Sequence, residues 1–260
     1  MKDSIRFLVL WVGTKCTLRC KNCCNLIPYA KPISYNVQNI MDNLAYVTKD
    51  VAVELLQIQG GEPFTHSQLD EIIVSCALNQ NIKKVEIASN GTVFPNDRTL
   101  KILKEYEDKV VLRLSKYTCV ESRQRDVDMY LQKQGVKAVH YDFMFGNGLW
   151  FDSGDISQNY NGNQMEVKEI YRKCANRSCW VLANDYMAVC GKIINLLEIK
   201  GGKPDENNII NVSACRESNL SFREVLQRFD RKYIEEVPAL CGYCKIQNEY
   251  IEPAIQISHS

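Results

Sequence analysis

Short apolar runs alternate with amphipathic segments through the first half of the chain, and this pattern predicts its secondary structure. Five apolar runs predict buried strands: Ile5–Val12, Val53–Ile58, Lys84–Ala88, Val110–Leu114 and Val136–Tyr141. Four segments with apolar residues at helical spacing predict helices: Val37–Val47, Ser67–Leu78, Asp97–Glu107 and Glu121–Lys133. Ser34 is expected to cap the first helix, and Leu149–Phe151 is a candidate sixth strand.

The second half of the chain has a different pattern. Ser153–Gln164 is rich in Gly, Asn, Ser and Asp, which predicts a linker. Beyond it, Trp180–Val189 predicts a hairpin, and Ser221–Phe229 predicts a helix that begins with a capping box of Ser221 and Glu224. This half is small and holds six of the cysteines, so a bound metal is expected to help it fold.

Strands that alternate with helices favour βαβ units and a parallel sheet. We therefore expect an α/β fold, in which a partial (β/α)6 TIM-like barrel precedes a small cysteine-rich C-terminal domain. The linker predicts a barrel over residues 1–160 and a second domain over residues 161–260. Chemistry in such barrels gathers at the carboxyl ends of the strands, where several polar motifs of this chain fall.

Charge and cysteine usage narrow the class of protein. The chain carries 32 basic and 31 acidic residues without a basic tract, which argues against nucleic acid or an anionic membrane as a partner. Ile5–Val12 is too short to span a bilayer, and no cleavage site follows it. Twelve cysteines without an export signal predict a cytoplasmic, reducing location, where thiols bind metals rather than form disulfides.

The segment Cys16-Thr-Leu-Arg-Cys20-Lys-Asn-Cys23 places three thiols on one short loop. A [4Fe–4S] cluster normally takes four thiolates, so three ligands leave one iron open to a small molecule. The spacing resembles the signature loop of the radical S-adenosylmethionine (SAM) enzymes, in which the amine and carboxylate of SAM bind that iron. The neighbouring Cys24 is expected to be a buried small hydrophobe.

The resemblance extends to Gly60-Gly61-Glu62-Pro63, which follows the second predicted strand as the family's G-G-E-P motif does. It implies that the carbonyl groups of Gly60 and Gly61 accept hydrogen bonds from the SAM ammonium group, with the Glu62 carboxylate nearby. On its own this sequence would be an ordinary turn.

Three further residues are cofactor candidates by the same resemblance. Asn90 and Ser115 stand at the ends of the third and fourth strands, where the family binds the methionine carboxylate and the ribose. A strand-exit turn and a solvated hydroxyl are the simpler alternatives. Asn22 occupies the position where the family usually has an aromatic residue beside the adenine, and Lys21, Asn25 or Leu26 could make that contact instead.

The second group of cysteines resembles the twitch extension of the family, which holds an auxiliary [4Fe–4S] cluster. The matching pattern is Cys174-x10-Asp185-x4-Cys190 followed by Cys241-Gly-Tyr-Cys244, with Asp185 where the family has glycine. The fourth ligand is Cys174 by family spacing or Cys179 by its closeness to the strand. Two [4Fe–4S] clusters and SAM are thus the expected cofactors, and a zinc site is the alternative for this half.

The resemblance also implies a reaction. Radical SAM enzymes use a 5′-deoxyadenosyl radical to remove a hydrogen atom from substrate, and an auxiliary cluster with four thiolates can accept the remaining electron. We expect oxidation of a secondary alcohol on a sugar, cyclitol or nucleotide-linked polyol to a ketone, as part of carbohydrate biosynthesis in an anaerobic setting. The layout is similar to that of the aminocyclitol dehydrogenase group, and a flavodoxin- or ferredoxin-type protein is the expected electron donor.

Other functions remain open from the sequence. The enzyme alternatives are an epimerase, which would need a thiol such as Cys24 as hydrogen donor, and a peptide-modifying enzyme. The alternative outside enzymology is a zinc-holding binding module. Late strand ends and the linker supply the candidates for substrate binding: His140, Tyr141, Asp142, Trp150 and Asp152. His140 is also a catalytic candidate, and Lys116 or Arg123 could take the hydroxyl proton or bind a phosphate.

Overall fold

The structure is a computed structural model that describes residues 4–141, 148–152, 154–160, 163–174, 176–177, 179–201, 209–235, 237–245 and 249–257. The strands are β1 (Ser4–Trp11), β2 (Ala52–Gln59), β3 (Ile82–Ser89), β4 (Val110–Ser115), β5 (Ala138–Tyr141), β6 (Trp150–Phe151), β7 (Trp180–Ala183), β8 (Tyr186–Ala188), β9 (Ile210–Asn211) and β10 (Tyr250–Ile251). The helices are α1 (Val37–Asp50), α2 (Leu69–Leu78), α3 (Asp97–Glu105), α4 (Glu121–Lys133), α5 (Gln164–Lys173), α6 (Gly191–Ile199), α7 (Val212–Glu217) and α8 (Phe222–Glu235).

The main sheet has the strand order β5-β4-β3-β2-β1-β7-β8-β9. β1 to β5 pair in parallel, and β7 pairs in parallel with β1. The pairs β7–β8 and β8–β9 are antiparallel. Helices α1 to α4 connect consecutive parallel strands, as βαβ units require. The prediction of an α/β fold with a partial TIM-like barrel is confirmed, and each predicted strand and helix of this half forms within a few residues of its expected bounds.

The sheet has two different faces because side chains alternate along each strand. One face carries apolar residues that pack against the helices in a continuous core, with Leu8, Leu56, Ile87 and Leu112 among them. We call the opposite face the inner face. Next to β7 it carries a smaller apolar cluster of Val9, Trp11, Val181 and Ala183. The inner face is the side of the sheet on which a barrel encloses its ligands.

The predicted sixth strand was wrong in its placement. Trp150–Phe151 pairs antiparallel with Tyr250–Ile251 in a separate two-stranded sheet. The sixth parallel strand is β7, which pairs with β1 and is buried along its whole length. Since the hairpin of β7 and β8 completes the main sheet, residues beyond the linker contribute to the same core as the barrel strands. The domain division at residue 160 stays a prediction.

Two helix starts differ from the expected ones. The N-cap of α1 is Asn36, whose side chain accepts a hydrogen bond from Asn39 N–H at 3.0 Å. Ser34 instead forms a β-bridge with Gly13, because the chain is still extended there. At the start of α8, Phe222 N–H donates to Asp50 Oδ2 at 3.1 Å. The pairing of Ser221 with Glu224 stays a prediction.

Helices α5, α6 and α7 were not predicted from the sequence. α5 begins at Gln164, within the expected linker, and Asn163 Oδ1 caps it by accepting from Met165 and Glu166 N–H at 3.0 Å. Within the part of the chain that the structure describes, no helix is both long and apolar enough to cross a membrane.

Candidate functional site

The turn at Gly60–Pro63 packs against the beginning of the cysteine loop through backbone contacts. Gly61 N–H donates to Gly13 O at 3.0 Å, and Glu62 N–H donates to Lys15 O at 2.8 Å. A Cβ on Gly61 would overlap the Lys15 carbonyl oxygen, and one on Gly60 would overlap that of Gly13. Glycine is therefore required here for close packing of two backbones. The hydrogen bonds that these two glycine carbonyl groups would accept from SAM stay a prediction. Within the chain, Gly60 O accepts from Asn25 Nδ2 at 3.4 Å.

The three loop cysteines lie within electrostatic range of one another. Burial raises the pKa of Cys16 to about 11 and that of Cys20 to about 12, and neighbouring thiolates of the loop raise both further. Burial also raises the pKa of Cys23, which backbone N–H groups of residues 25–27 oppose. The thiolate form of these cysteines is thus unfavourable unless a positive charge lies beside it, and bound iron would supply that charge.

Hydrogen-bond donors reach the sulfur atoms from distant parts of the chain. Asn90 Nδ2 lies 3.7 Å from Cys16 Sγ, and Gln256 Nε2 lies 3.4 Å from Cys20 Sγ. Such donors stabilise the thiolate form of a metal ligand. No three His, Cys, Asp or Glu side chains in the described ranges converge as a single metal ion would need. Thiolates that ligate different corners of a cube need not converge on one point.

Cys24 does not behave as expected. Its side chain is exposed, whereas the sequence predicted a buried small hydrophobe, because the turn buries the following Asn25 and Leu26 in its place. Cys24 lies in electrostatic range of Cys23 and also of Cys190 in the second cysteine group. It is therefore a thiol between the two groups of cysteines.

Glu62 is the buried centre of the site's hydrogen-bond network, with 1% of its surface exposed. Its Oε1 accepts from Ser89 Oγ at 2.9 Å and from Phe64 N–H at 3.2 Å, and its Oε2 accepts from Asn90 N–H at 2.7 Å. Burial raises the pKa of Glu62 to about 7, and these three hydrogen bonds oppose the rise. The carboxylate thus ties the turn after β2 to the end of β3, a positional role that the sequence did not reveal.

Asn90 and Ser115 lie at neighbouring strand ends, and Gln124 joins them. Gln124 Nε2 donates to Asn90 O at 2.7 Å and to Ser115 O at 2.6 Å. Asn90 Nδ2 also donates to Thr17 Oγ1 at 2.9 Å, next to Cys16. The structure therefore brings both predicted cofactor residues to the mouth of the sheet. Sequence reasoning missed Gln124, for which the only signal is an amide in the first turn of the helix after β4.

A polar group on the inner face also escaped the sequence analysis. Gln57 Nε2 donates to Glu86 Oε1 at 2.5 Å, and Arg113 Nε lies 3.3 Å from the same oxygen. Gln57 and Glu86 are register partners on adjacent strands, so their side chains share one face. Charged residues within otherwise apolar strands were the available signal.

The structure places His140 on the opposite face of the sheet from this group and leaves Lys116 and Arg123 exposed. His140 is the register partner of Leu114, a helix-facing residue, and its Nε2 lies 3.1 Å from Asp128 Oδ1 on α4. One residue of alternation along β5 thus turns His140 away from the inner face. Arg123 is exposed, and its guanidinium lies 4.3 Å from the Phe94 ring centroid. Lys116 is also exposed, directly after the end of β4, and the catalytic roles of the three residues stay predictions.

The remaining candidates are only partly described. Asn22 is half-buried within the cysteine loop. Trp150 packs edge-on against Tyr117 with ring centroids 5.7 Å apart, and Asp152 Oδ2 lies 3.1 Å from Lys245 Nζ. Asp142 and the side chain of Tyr141 lie outside the described residues.

The second group of cysteines lines one cavity that is partly open to solvent. Four cysteines line it: Cys174, Cys190, Cys241 and Cys244. They come from three segments: Cys174 directly follows α5, Cys190 directly precedes α6, and the other two lie at a 3-10 turn. Burial raises the pKa of Cys190 to about 12, and Cys244 and Cys174 raise it further.

Cys179 is not among the residues that line this cavity. It packs against the inner-face cluster of β1 and β7. Cys179 nevertheless lies in electrostatic range of Cys174 and Cys190, so the lining of the cavity favours Cys174 as the fourth ligand while the assignment stays a prediction. Lys192 is buried and, with Lys245, lines the cavity, so two cationic side chains accompany the thiols.

The parallel sheet with a three-cysteine loop after β1 defines a radical SAM fold. The family model of the Radical SAM superfamily matches residues 12–115, which run from the end of β1 to the end of β4. The chain therefore carries a segment of the radical SAM type over these residues. Members of this superfamily hold a [4Fe–4S] cluster and SAM. The loop fits such a cluster because its three thiols lie within electrostatic range of one another and side-chain amides donate to two of the sulfur atoms.

One solved structure shares this fold, and a second aligns with the chain less well. The structure titled "BtrN in complex with AdoMet and 2-DOIA" aligns with a TM-score of 0.60 at 14% identity, over 96% of this chain and 100% of that chain. Streptococcus suis SuiB bound to S-adenosylmethionine aligns with a TM-score of 0.45 at 16% identity, over 90% of this chain and 48% of its own length.

A curated relative matches in part. The GTP 3′,8-cyclase of Stenotrophomonas maltophilia (strain R551-3) is 31% identical over 100 residues, which are 35% of this chain. The chain spans only 28% of that protein's length.

Proposed function

We propose that this chain is a radical SAM oxidoreductase that converts a secondary alcohol of a sugar, cyclitol or nucleotide-linked polyol to a ketone. The observation that carries the proposal is the cavity lined by Cys174, Cys190, Cys241 and Cys244, separate from the loop at Cys16. Four thiolates saturate a [4Fe–4S] cluster, so a cluster there suits electron transfer rather than substrate ligation.

Cys16, Cys20 and Cys23 would hold the first cluster, with SAM on its open iron. When bound, the first cluster and SAM together supply a radical that removes a hydrogen atom from carbon, and the second cluster supplies an electron acceptor. The substrate then loses one hydrogen atom from carbon, one proton from its hydroxyl group and one electron, which leaves a carbon–oxygen double bond. Buried Lys192 favours added negative charge in the four-cysteine cavity, and so supports acceptance of that electron.

The polar group on the inner face is the proposed site for the substrate. Glu86 offers a carboxylate acceptor, while Gln57 and Arg113 offer donors, which together suit a molecule with several hydroxyl groups. We propose that Glu86, the carboxylate of this group, accepts the proton of the substrate hydroxyl group. This role was expected of Lys116, Arg123 or His140. The likeness in fold to BtrN, whose structure holds AdoMet and 2-DOIA, agrees with a small polar substrate.

The proposed first cluster also restricts the conditions in which the protein can work. An open iron corner reacts with oxygen, so we infer an anaerobic or oxygen-protected cytoplasm. A flavodoxin- or ferredoxin-type protein would supply the electron that starts each turnover.

Anaerobic reconstitution tests the proposal. The full chain should bind about eight irons, and a Cys190→Ala, Cys244→Ala variant about four. Incubation with SAM, reductant and a panel of polyols should release 5′-deoxyadenosine together with a product two mass units lighter than its alcohol. The double variant should form deoxyadenosine but little ketone. Eight irons with no mass loss from any polyol would contradict the oxidation.

Epimerisation is the second candidate, because Cys24 is an exposed thiol beside the loop. Such an enzyme would remove a hydrogen atom from carbon and return another from the thiol, and one electron from the second cluster with one proton from solvent would then restore the thiol. In D2O its product would gain one mass unit, whereas the ketone would lose two. If the enzyme is an epimerase, Cys24→Ala would abolish this gain; if it is a dehydrogenase, Cys24→Ala would leave ketone formation unchanged.

A further inference from the structure

Residues 254–257 lie across the cysteine loop, although more than two hundred residues separate them in sequence. Gln256 and Cys20 form an antiparallel β-bridge. On either side of it, Lys21 N–H donates to Ile255 O and Ile257 N–H donates to Arg19 O, both at 2.8 Å. We call residues 254–257 the C-terminal strap. Its backbone holds the middle of the loop in register.

The side chain of Gln256 has one orientation that satisfies its neighbours. Its Oε1 accepts from Arg19 N–H at 2.8 Å, which places Nε2 on the opposite side. Nε2 lies 3.9 Å from Cys119 Sγ, and it donates over shorter distances to Ala254 O at 2.6 Å and to Cys20 Sγ at 3.4 Å. An amide nitrogen has two hydrogens, so both bonds can be made together.

Cys20 depends on this donor more than the other loop cysteines depend on any single one. Cys16 Sγ has the Leu18 N–H at 3.5 Å as well as Asn90, and Cys23 has backbone N–H groups beside it. Cys20 is 8% exposed, so little water reaches its sulfur. The hydrogen bond from the Gln256 amide opposes the rise in the pKa of Cys20 that burial causes.

We propose that Gln256 is a positioning residue that raises the reduction potential of the cluster held by Cys16, Cys20 and Cys23. Reduction adds negative charge to the cluster and its thiolates, so an N–H···S bond stabilises the reduced form more than the oxidised form. The strap thereby links the end of the described chain to the ease with which the first electron enters. This inference rests on the superfamily's cluster and not on the substrate.

The test is a redox titration of the reconstituted full chain, followed by electron paramagnetic resonance of the reduced cluster. It is done in the Cys190→Ala, Cys244→Ala background, so that the loop cluster alone reports. Gln256→Met keeps the length of the side chain and removes both N–H donors. Gln256→Glu keeps an acceptor for Arg19 and also removes them. Gln132→Met, on the exposed side of α4, is the control.

Both Gln256 variants should load iron as the control does, yet have a more negative midpoint potential. We expect on the order of a tenfold shift in the ratio of reduced to oxidised cluster, which corresponds to about 59 mV for one electron. Gln256→Glu should shift the potential further, because a carboxylate repels the reduced cluster. Potentials equal to the control would overturn the proposal. So would loss of iron in both variants, which would show a purely structural strap.

Discussion

Asn90 N–H donates to Glu62 Oε2 at 2.7 Å, so that one buried carboxylate joins the ends of β2 and β3 at the mouth of the sheet. The same carboxylate accepts from Ser89 and Phe64. Asn90 in turn reaches Cys16 Sγ with its side chain. The conformation of the cysteine loop therefore depends on a residue that would itself bind no metal.

Glu62 should make stability depend on pH. Its folded pKa of about 7 exceeds its ordinary value of 4.5, so between these values the folded state keeps a proton that the unfolded state releases. The free energy of unfolding should therefore fall as pH rises from 5 to 8, by at most about 3 kcal/mol. Urea unfolding at several pH values would show it, and Glu62→Gln should flatten the slope. Equal slopes in the two proteins would count against this assignment.

Gly61→Ala should prevent normal folding of the loop. The added Cβ overlaps the Lys15 carbonyl oxygen, which is backbone and cannot rotate away. We expect a loss of roughly 3 kcal/mol or more in the free energy of unfolding, together with loss of iron. Gly135→Ala is the control, since open space surrounds that position and only its positive φ is strained, which costs about 1 kcal/mol. Thermal unfolding and iron analysis of the two variants would compare them.

Cys174 and Cys179 should differ in their effect on iron binding. Cys174→Ala removes a thiol from the four-cysteine cavity, so iron should fall from about eight to about four per chain. Cys179→Ala removes a thiol that packs beside β1 and β7, so iron should stay near eight while stability drops by about 1 kcal/mol. Iron and sulfide assays after anaerobic reconstitution distinguish them. The reverse pattern would assign the ligand to Cys179.

His140→Gln should leave turnover within about twofold of the original. The imidazole lies on the helix-facing side of β5 and pairs with Asp128, so the change removes a partly exposed pair worth less than about 1 kcal/mol. The rate of 5′-deoxyadenosine formation is the measurement. A hundredfold loss of this rate with unchanged iron content would contradict the prediction and indicate that His140 acts in the active site.

Glu86→Gln should slow product formation by about 10²-fold or more, because the hydroxyl proton loses its acceptor. Cleavage of SAM should continue, so deoxyadenosine would exceed ketone. Glu54→Gln is the matched control, since Glu54 lies exposed on β2 in an ion pair with Lys83 at 3.3 Å. Equal ratios of deoxyadenosine to ketone in the two variants would remove Glu86 from the mechanism.

Much of the fold follows from local pattern. Apolar runs with helical segments between them predict β1 to β5 and α1 to α4, because burial on both sides of a parallel strand leaves a run that sequence alone displays. The helices α5 to α7 were missed, since their sequences are short or interrupted and they form against partners from elsewhere in the chain. Trp150–Phe151 was misplaced because a two-residue strand takes its partner from tertiary contact.

Within the site, the sequence alone determined the residue types that a cluster needs and their closeness along the chain, as in Cys16, Cys20 and Cys23. Spacing over a few residues restricts the distance between side chains whatever the remaining chain does. The tertiary structure decided which distant groups meet them. It brought Gln256 to Cys20, gathered four cysteines from three segments, and turned His140 outward while Glu86 faces inward. Those outcomes depend on register and on long-range packing, which no local spacing records.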